Sequence, residues 1–162
     1  MKIPKIIIWI GFLAITFIFF YYGRCFKQAH LPGIVDFEFA NATKGRELLL
    51  SWENAGLLSI AKKMIWLDFA YIFFYVAIII TLSGRQIRSE PSVVLNALLR
   101  ANFFFAVFAG LFDVIENIAL LYNIQCWRTN YIQLSWATWL KFILIAWTVL
   151  VWLVSFIKSK IK

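Results

Sequence analysis

Four long apolar runs, separated by polar segments, dominate the hydrophobic pattern of the chain. They cover residues 6–22, 64–82, 101–122 and 136–157. A helix needs roughly 20 apolar residues to cross the hydrocarbon core of a bilayer, and each run is close to that length. The runs lack the short alternating segments of a membrane barrel, so helices must satisfy their backbone hydrogen bonds. The pattern predicts an all-α integral membrane four-helix bundle, with residues 1–162 forming a single membrane domain.

Composition supports a membrane protein and argues against a nucleic-acid partner. The chain is 63% hydrophobic and only 15% charged, whereas a soluble domain is about a quarter charged. The net charge of +8 comes from basic residues beside the apolar runs, not from a basic face with a motif that reads DNA or RNA. No phosphate-binding glycine loop, nucleophile elbow or haem signature occurs, so we predict no cofactor. Membrane lipids are the expected partners.

The distribution of basic residues predicts the orientation, because Lys and Arg accumulate in short cytoplasmic segments. The amino end, the second loop and the carboxyl end hold eight basic residues and one acid, Glu90. These basic residues are Lys2, Lys5, Arg85, Arg88, Arg100, Lys158, Lys160 and Lys162. The first run lacks a small-residue cleavage site and is expected to be a retained anchor. We expect a bacterial inner-membrane protein with both termini in the cytoplasm and residues 23–63 outside.

This first outer loop is too long for a simple connector. Residues 35–39 alternate apolar and acidic side chains, which predicts an extended piece. Residues 46–61 predict an amphipathic helix, which either lies at the interface or caps the bundle. Tryptophans near the outer boundary suggest an aromatic belt; they are Trp52, Trp66, Trp127, Trp136 and Trp139. Cys25 and Cys126 are both expected at the outer surface, where they form either a disulfide or two unrelated thiols.

Polar side chains inside the apolar runs are the strongest functional signal, because charged groups at membrane depth face the bundle interior and find partners. Helical spacing places them on three faces. The second run contributes Asp68, Tyr71 and Tyr75; the third contributes Asp113, Glu116 and Asn117; the fourth contributes Thr138, Lys141, Thr148 and Ser155. Small residues continue the polar face of the third run and allow close helix packing.

Asp68, Glu116 and Lys141 are expected to lie at the same depth, roughly 6–9 Å below the outer boundary at 1.5 Å per residue. Asp113 lies about one turn deeper. We predict that Lys141 pairs with Glu116 or Asp68. One ammonium cannot neutralise three acids, so at least one carboxyl is expected to stay neutral or hydrated. A neutral carboxyl is a proton donor, so the cluster could perform acid–base chemistry.

Two other interpretations of these residues stay open. Polar side chains also hold membrane helices together, at an average gain of about 0.6 kcal/mol per hydrogen bond. Asp68, Asp113 and Glu116 could instead offer oxygens to a hard cation. His30, the single histidine, lies in the first loop and is not part of a ligand motif. We therefore predict no metal site.

Three segments carry a resemblance to known proteins: residues 33–40 (GIVDFEFA), residues 66–69 (WLDF) with Tyr75, and residues 112–117 (FDVIEN). With these segments the chain resembles a family of small uncharacterised bacterial four-helix membrane proteins, a likeness that implies no activity. In architecture it is also distantly similar to EXPERA-type sterol isomerases and sterol-binding receptors. That likeness implies four membrane helices, a long first loop and acids inside the bundle that contact a lipidic ligand.

These observations lead to three functional hypotheses. The first is a pocket for a small lipidic or apolar molecule, with proton transfer as the chemistry if a reaction occurs. The second is a proton-coupled transport component, which the apolar inner halves of the first two runs disfavour. The third is an accessory subunit whose polar face pairs with another membrane protein. The ligand candidates are Asp68, Tyr71, Tyr75, Asp113, Glu116, Asn117 and Lys141.

Overall fold

The computed structural model describes residues 5–126, 128–133 and 135–161, and these ranges contain helices and connecting turns without a strand. In chain order the helices are α1 (Lys5–Gln28), α2 (Ile34–Glu38), α3 (Ala42–Asn54), α4 (Leu58–Ile87), α5 (Val93–Cys126) and α6 (Ser135–Ile161). Helices α1, α4, α5 and α6 are long and apolar enough to cross a membrane. The predicted all-α membrane four-helix bundle is confirmed. Predictions that concern Lys2, Trp127 and Lys162 lie outside the described residues.

Helix α5 is the centre of the bundle. It packs along α4 on one side and α6 on the other, whereas α1 packs against α4. In the most apolar stretch of each helix, 44% of the α5 residues are buried, against 11% in α1. Asp68 contacts Asn117, and Ser83 contacts Asn102, so α4 and α5 run antiparallel. We call the end that holds α2 and α3 the cap end, and the opposite end the termini end.

The spanning helices extend beyond the apolar runs that predicted them. Helix α4 begins at Leu58 and ends at Ile87, and α5 begins at Val93, whereas the apolar runs cover residues 64–82 and 101–122. Hydropathy marks only the part of a helix that is apolar enough for the hydrocarbon core. The helical hydrogen bonds of the backbone continue into the polar turns at each end, so the helix is longer than the apolar run. The extensions matter because they add buried polar residues of α4 to the interior of the bundle.

Residues 34–54 form a folded cap, which consists of α2 and α3. Trp52 is fully buried in its core, with the rings of Phe26 and Phe37 each 5.2 Å away in edge-on contact. The indole nitrogen of Trp52 donates a hydrogen bond to the carbonyl oxygen of Pro32, at 3.0 Å. Of the two predicted placements of the amphipathic segment, the structure shows the cap. Trp52 therefore belongs to a protein core and not to an aromatic belt.

Two local predictions in this segment are wrong. Residues 35–39 are not extended: residues 35–38 belong to α2, and Phe39 caps its carboxyl end. The helix begins after Gly33, whose backbone amide donates a hydrogen bond to the Asp36 carboxylate at 3.0 Å. The helix predicted over residues 46–61 is broken at Gly56, whose φ of 70° lies in the left-handed region that favours glycine. Cys25 and Cys126 are free thiols in the structure.

Candidate functional site

Buried acids from two parts of the chain meet at one ammonium group. The Lys141 Nζ atom lies 2.8 Å from Asp113 Oδ1, 2.5 Å from Glu116 Oε2 and 3.1 Å from Glu38 Oε2. The Lys141 side chain is only 5% exposed, and the three carboxylates are 10% exposed or less. The predicted pair of Lys141 and Glu116 is therefore present, within a larger group that joins α2, α5 and α6.

Helical spacing explains how α5 supplies this group. Asp113, Glu116 and Asn117 occupy positions i, i+3 and i+4, which share one face of a helix. That face is buried, with exposures of 5%, 1% and 1%. Ala106, Ala109 and Gly110 continue it toward the termini end, and all three are buried. Their small size lets α4 and α6 approach the acids closely.

Asp68 belongs to the same group through a different partner. Its Oδ2 atom accepts a hydrogen bond from the Asn117 side-chain amide at 2.7 Å. Among the described residues it makes no ion pair with Lys141, so of the two predicted partners of Lys141 the structure shows Glu116 and not Asp68. The Asn117 side-chain amide is the donor that satisfies the Asp68 carboxylate instead. Asp68 is half-buried.

The two predicted tyrosines have different surroundings. The Tyr75 hydroxyl donates a hydrogen bond to Asp113 Oδ2 at 3.1 Å, so Tyr75 belongs to the acidic group. Tyr71 stacks on Phe12 of α1, with ring centroids 4.9 Å apart, and meets the Tyr75 ring edge-on at 6.1 Å. Tyr71 thus lies beside the group, and its aromatic contacts help to join α1 to α4.

Two residues that the sequence did not assign to the site complete it. Glu38 lies in the cap, in a segment predicted to be an extended surface piece. Its sequence position, an acid between two phenylalanines, was the one local indication of a buried side chain. Thr138 was recognised as part of a polar stripe but not as a site residue. Its hydroxyl contacts the Glu116 carboxylate and lies 3.2 Å from the Glu38 carbonyl oxygen. Thr138 therefore links the cap to the spanning helices. We call the full set of Glu38, Asp68, Tyr75, Asp113, Glu116, Asn117, Thr138 and Lys141 the acidic cluster.

Charge balance makes the acidic cluster a proton-binding site. Four ionised carboxylates and one ammonium would carry three net negative charges in an interior of low dielectric constant, which is costly. Protons must therefore remain on some of the carboxyls. For Glu38, outside the spanning helices, burial raises the pKa to about 8, although the attraction of Lys141 opposes the shift. Repulsion by Glu116 adds to the increase.

The cluster is not arranged as a metal centre. Within residues 5–126, 128–133 and 135–161, no group of three or more His, Cys, Asp or Glu side chains is placed to hold a metal ion. The Lys141 ammonium occupies the position between the carboxylates of Glu38, Asp113 and Glu116 that a cation would take.

A groove of about 340 Å³ lies where α4 and α5 cross. We call it the α4–α5 groove; it is lined by Ile72, Phe73, Val76, Ala77, Ile80, Val107, Gly110, Leu111 and Val114. Its lining is apolar, and it lies within the volume range of small-ligand sites, about 300–1,000 Å³. Ile72 follows Asp68 by one turn, and Val114 precedes Asn117 by one turn. The hydrogen-bonded pair of Asp68 and Asn117 therefore lies at the cap-end head of the groove.

Gly110 accounts for the closeness of the groove to the acids. A Cβ atom at this position would lie 3.0 Å from Val76 Cγ2, 3.2 Å from Ile72 Cγ2 and 3.9 Å from the Tyr75 hydroxyl oxygen. Glycine thus allows α4 and α5 to cross in close contact, with the Tyr75 hydroxyl reaching this level from inside. The Tyr75 hydroxyl, which donates to Asp113, therefore lies close to a residue that lines the groove.

Comparison of the chain with protein-family models, curated proteins and solved structures finds no match.

Proposed function

We propose that this protein is a membrane receptor or carrier for a small amphiphile, whose apolar tail lies in the α4–α5 groove and whose polar end contacts Asp68 and Asn117. The observation that supports this proposal is the position of a hydrogen-bonded acid–amide pair at the head of an apolar, lipid-facing groove.

The chemistry of the cluster restricts the polar end of the ligand. Carboxylates accept hydrogen bonds, and the cluster holds more acids than bases. A hydroxyl or an ammonium group can donate to Asp68, whereas a phosphate or carboxylate headgroup would be repelled. The proposed ligand is therefore an alcohol or amine with a hydrocarbon body, such as a sterol-like or fatty molecule. Proton transfer is the chemistry that the cluster could supply to such a ligand.

The proposal includes a location and an orientation. Basic residues at the termini end, among them Arg85, Arg88 and Arg100, favour placing that end in the cytoplasm. The cap and the acidic cluster then lie on the outer side of a bacterial inner membrane, and the ligand comes from the outer leaflet.

Photo-crosslinking tests the proposal. The protein is reconstituted in phosphatidylcholine vesicles with hexadecylamine or hexadecanol that carries a diazirine near the chain end, and labelled peptides are identified by mass spectrometry. We expect label to concentrate on the α4 and α5 residues of the groove. Leu111→Trp should fill the groove and reduce this labelling several-fold, because Leu111 is 50% exposed there.

Ile118→Trp is the matched control, since Ile118 lies two turns along the same helix, is 57% exposed and does not line the groove. It should leave labelling unchanged. Label spread evenly over the lipid-facing sides of α1, α4, α5 and α6, with no response to Leu111→Trp, would contradict the proposal.

A further inference from the structure

A second set of buried polar side chains lies at the termini end of the bundle. They come from α4, the turn that follows it, α5 and α6, and each is less than 9% exposed: Ser83, Gln86, Glu90, Asn102, Thr148 and Ser155. We call this set the inner polar cluster. The apolar run that predicted the second span ends at residue 82, which placed Ser83 and Gln86 outside the membrane helix. The structure continues α4 to Ile87 and brings both residues into the interior.

Hydrogen bonds connect this cluster across three helices. The Asn102 side-chain amide donates to Ser83 Oγ at 3.3 Å and to the Thr148 carbonyl oxygen at 3.0 Å. Nearer the surface, the Glu90 carboxylate accepts from the Ser92 backbone amide at 3.0 Å. The same carboxylate accepts from the Ser155 hydroxyl. The termini end is therefore polar inside, although the inner halves of the first two apolar runs are almost purely apolar in sequence.

Two atoms in the inner polar cluster have no hydrogen-bond partner among the described residues: Gln86 Nε2 and Asn102 Oδ1. Gln86 is 7% exposed and Asn102 is fully buried. Buried polar atoms in folded proteins nearly always have a partner, often an ordered water. One orphaned atom is a donor and the other an acceptor. Water both donates and accepts, so it is the small molecule that satisfies both.

Small buried residues of α5 lie between the inner polar cluster and the acidic cluster. Asn102 precedes Asp113 by eleven residues, which corresponds to about 16 Å along α5. Between these two residues, Ala106, Ala109 and Gly110 are buried. The Tyr75 hydroxyl reaches the level of Gly110 from the acidic cluster. Proton transfer between the two clusters therefore requires a file of water molecules along this stretch.

We propose that the inner polar cluster binds water and relays protons between Glu90 and the acidic cluster, so that the protein conducts protons across the membrane. A proton from water at the termini end binds the Glu90 carboxylate and then moves through the waters held by Gln86 and Asn102. It next passes to Asp113 and is released on the cap side through Asp68 or Glu38. Each carboxyl gains one proton and loses one, so the chain returns to its starting state.

Proton flux into vesicles tests this inference directly. The protein is reconstituted in phosphatidylcholine vesicles that contain a pH-sensitive dye, and valinomycin with a potassium gradient compensates the transferred charge. We expect the pH gradient to collapse several-fold faster than in protein-free vesicles. Asn102→Leu should lower the flux at least fivefold, because it removes the side chain that holds both Ser83 and the proposed water.

Two further variants distinguish a loss of proton flux from a loss of folding. Gln86→Met keeps the size of the side chain, removes its orphaned donor and should also lower the flux. Val149→Leu changes a residue that is 48% exposed on the outside of α6 and should leave the flux at the wild-type rate. A wild-type rate equal to that of protein-free vesicles would overturn proton conduction. Wild-type rates in both Asn102→Leu and Gln86→Met would overturn the route. Neither outcome bears on amphiphile binding, because no amphiphilic probe is added.

Discussion

Lys141 in α6 and Glu38 in the five-residue helix α2 are 103 positions apart in the chain, yet their Nζ and Oε2 atoms lie 3.1 Å apart. Because the same ammonium also contacts Asp113 and Glu116, one side chain connects the cap to two spanning helices. The acidic cluster is therefore both the candidate site and the junction that holds the cap on the bundle.

Replacing this ammonium tests its structural role. Lys141→Met should lower the free energy of unfolding by about 3–5 kcal/mol, because it leaves buried carboxylates without their counter-charge. Unfolding by a denaturing detergent, followed by circular dichroism, measures the change. Lys158→Met, at an exposed position near the end of the same helix, should cost much less. Equal losses in the two variants would show that the ion pairs of Lys141 do not stabilise the bundle.

The stability of the cap should depend on pH through Glu38. Burial raises the pKa of Glu38 from 4.5 to about 8, so the folded protein binds this proton more tightly than the unfolded chain does. The tighter binding of this proton stabilises the folded cap by at most about 5 kcal/mol. This stabilisation is complete below about pH 4.5 and is lost as the pH rises toward 8. Hydrogen exchange of the α2 and α3 amides should accordingly become faster, relative to the intrinsic rate, across this range.

Glu38→Gln mimics the protonated carboxyl and should flatten that pH dependence. Glu47→Gln changes an exposed acid of α3 and should preserve it. A wild-type profile in Glu38→Gln would show that the pH dependence does not arise from Glu38.

Thr138 should contribute more than a typical buried threonine. Its hydroxyl contacts both the Glu116 carboxylate and the Glu38 carbonyl oxygen, so Thr138→Val leaves buried acceptors without a donor, at a cost of about 1–3 kcal/mol. Thr148→Val is the matched control, because Thr148 is equally buried on the same helix but donates only to the Ile145 carbonyl within its own turn. Detergent unfolding should show the larger loss for Thr138→Val.

Much of this arrangement follows from residue spacing. The four spans, the polar faces of α4, α5 and α6, and the pairing of Lys141 with Glu116 could be predicted, because apolar length and the i, i+3, i+4 rule are local properties. Glu38 could not be predicted, because its position depends on how the cap folds over the bundle. Ser83 and Gln86 were missed because hydropathy marks the end of the apolar run and not the end of the helix.

The cap core offers a further test, because Trp52 was expected to lie in an aromatic belt and is instead fully buried. Trp52→Ala should destabilise the cap by about 3–5 kcal/mol and increase hydrogen exchange in α2, which carries Glu38. Trp66→Ala removes a ring that is 59% exposed. It should leave the amides of α2 protected from hydrogen exchange. Protection of α2 that survives Trp52→Ala would mean that the ion pairs of the acidic cluster alone hold the cap.

Binding of an amphiphile at Asp68 is the most direct test of the proposed function. Hexadecylamine is added to the protein in nanodiscs, and bound ligand is measured by native mass spectrometry after release. We expect the wild-type protein and Asp36→Asn, which alters an exposed acid of the cap, to retain the amine. Asp68→Asn should bind it at least about tenfold more weakly, as expected for the loss of one charged hydrogen bond. Equal binding by all three proteins would contradict a ligand site at the head of the α4–α5 groove.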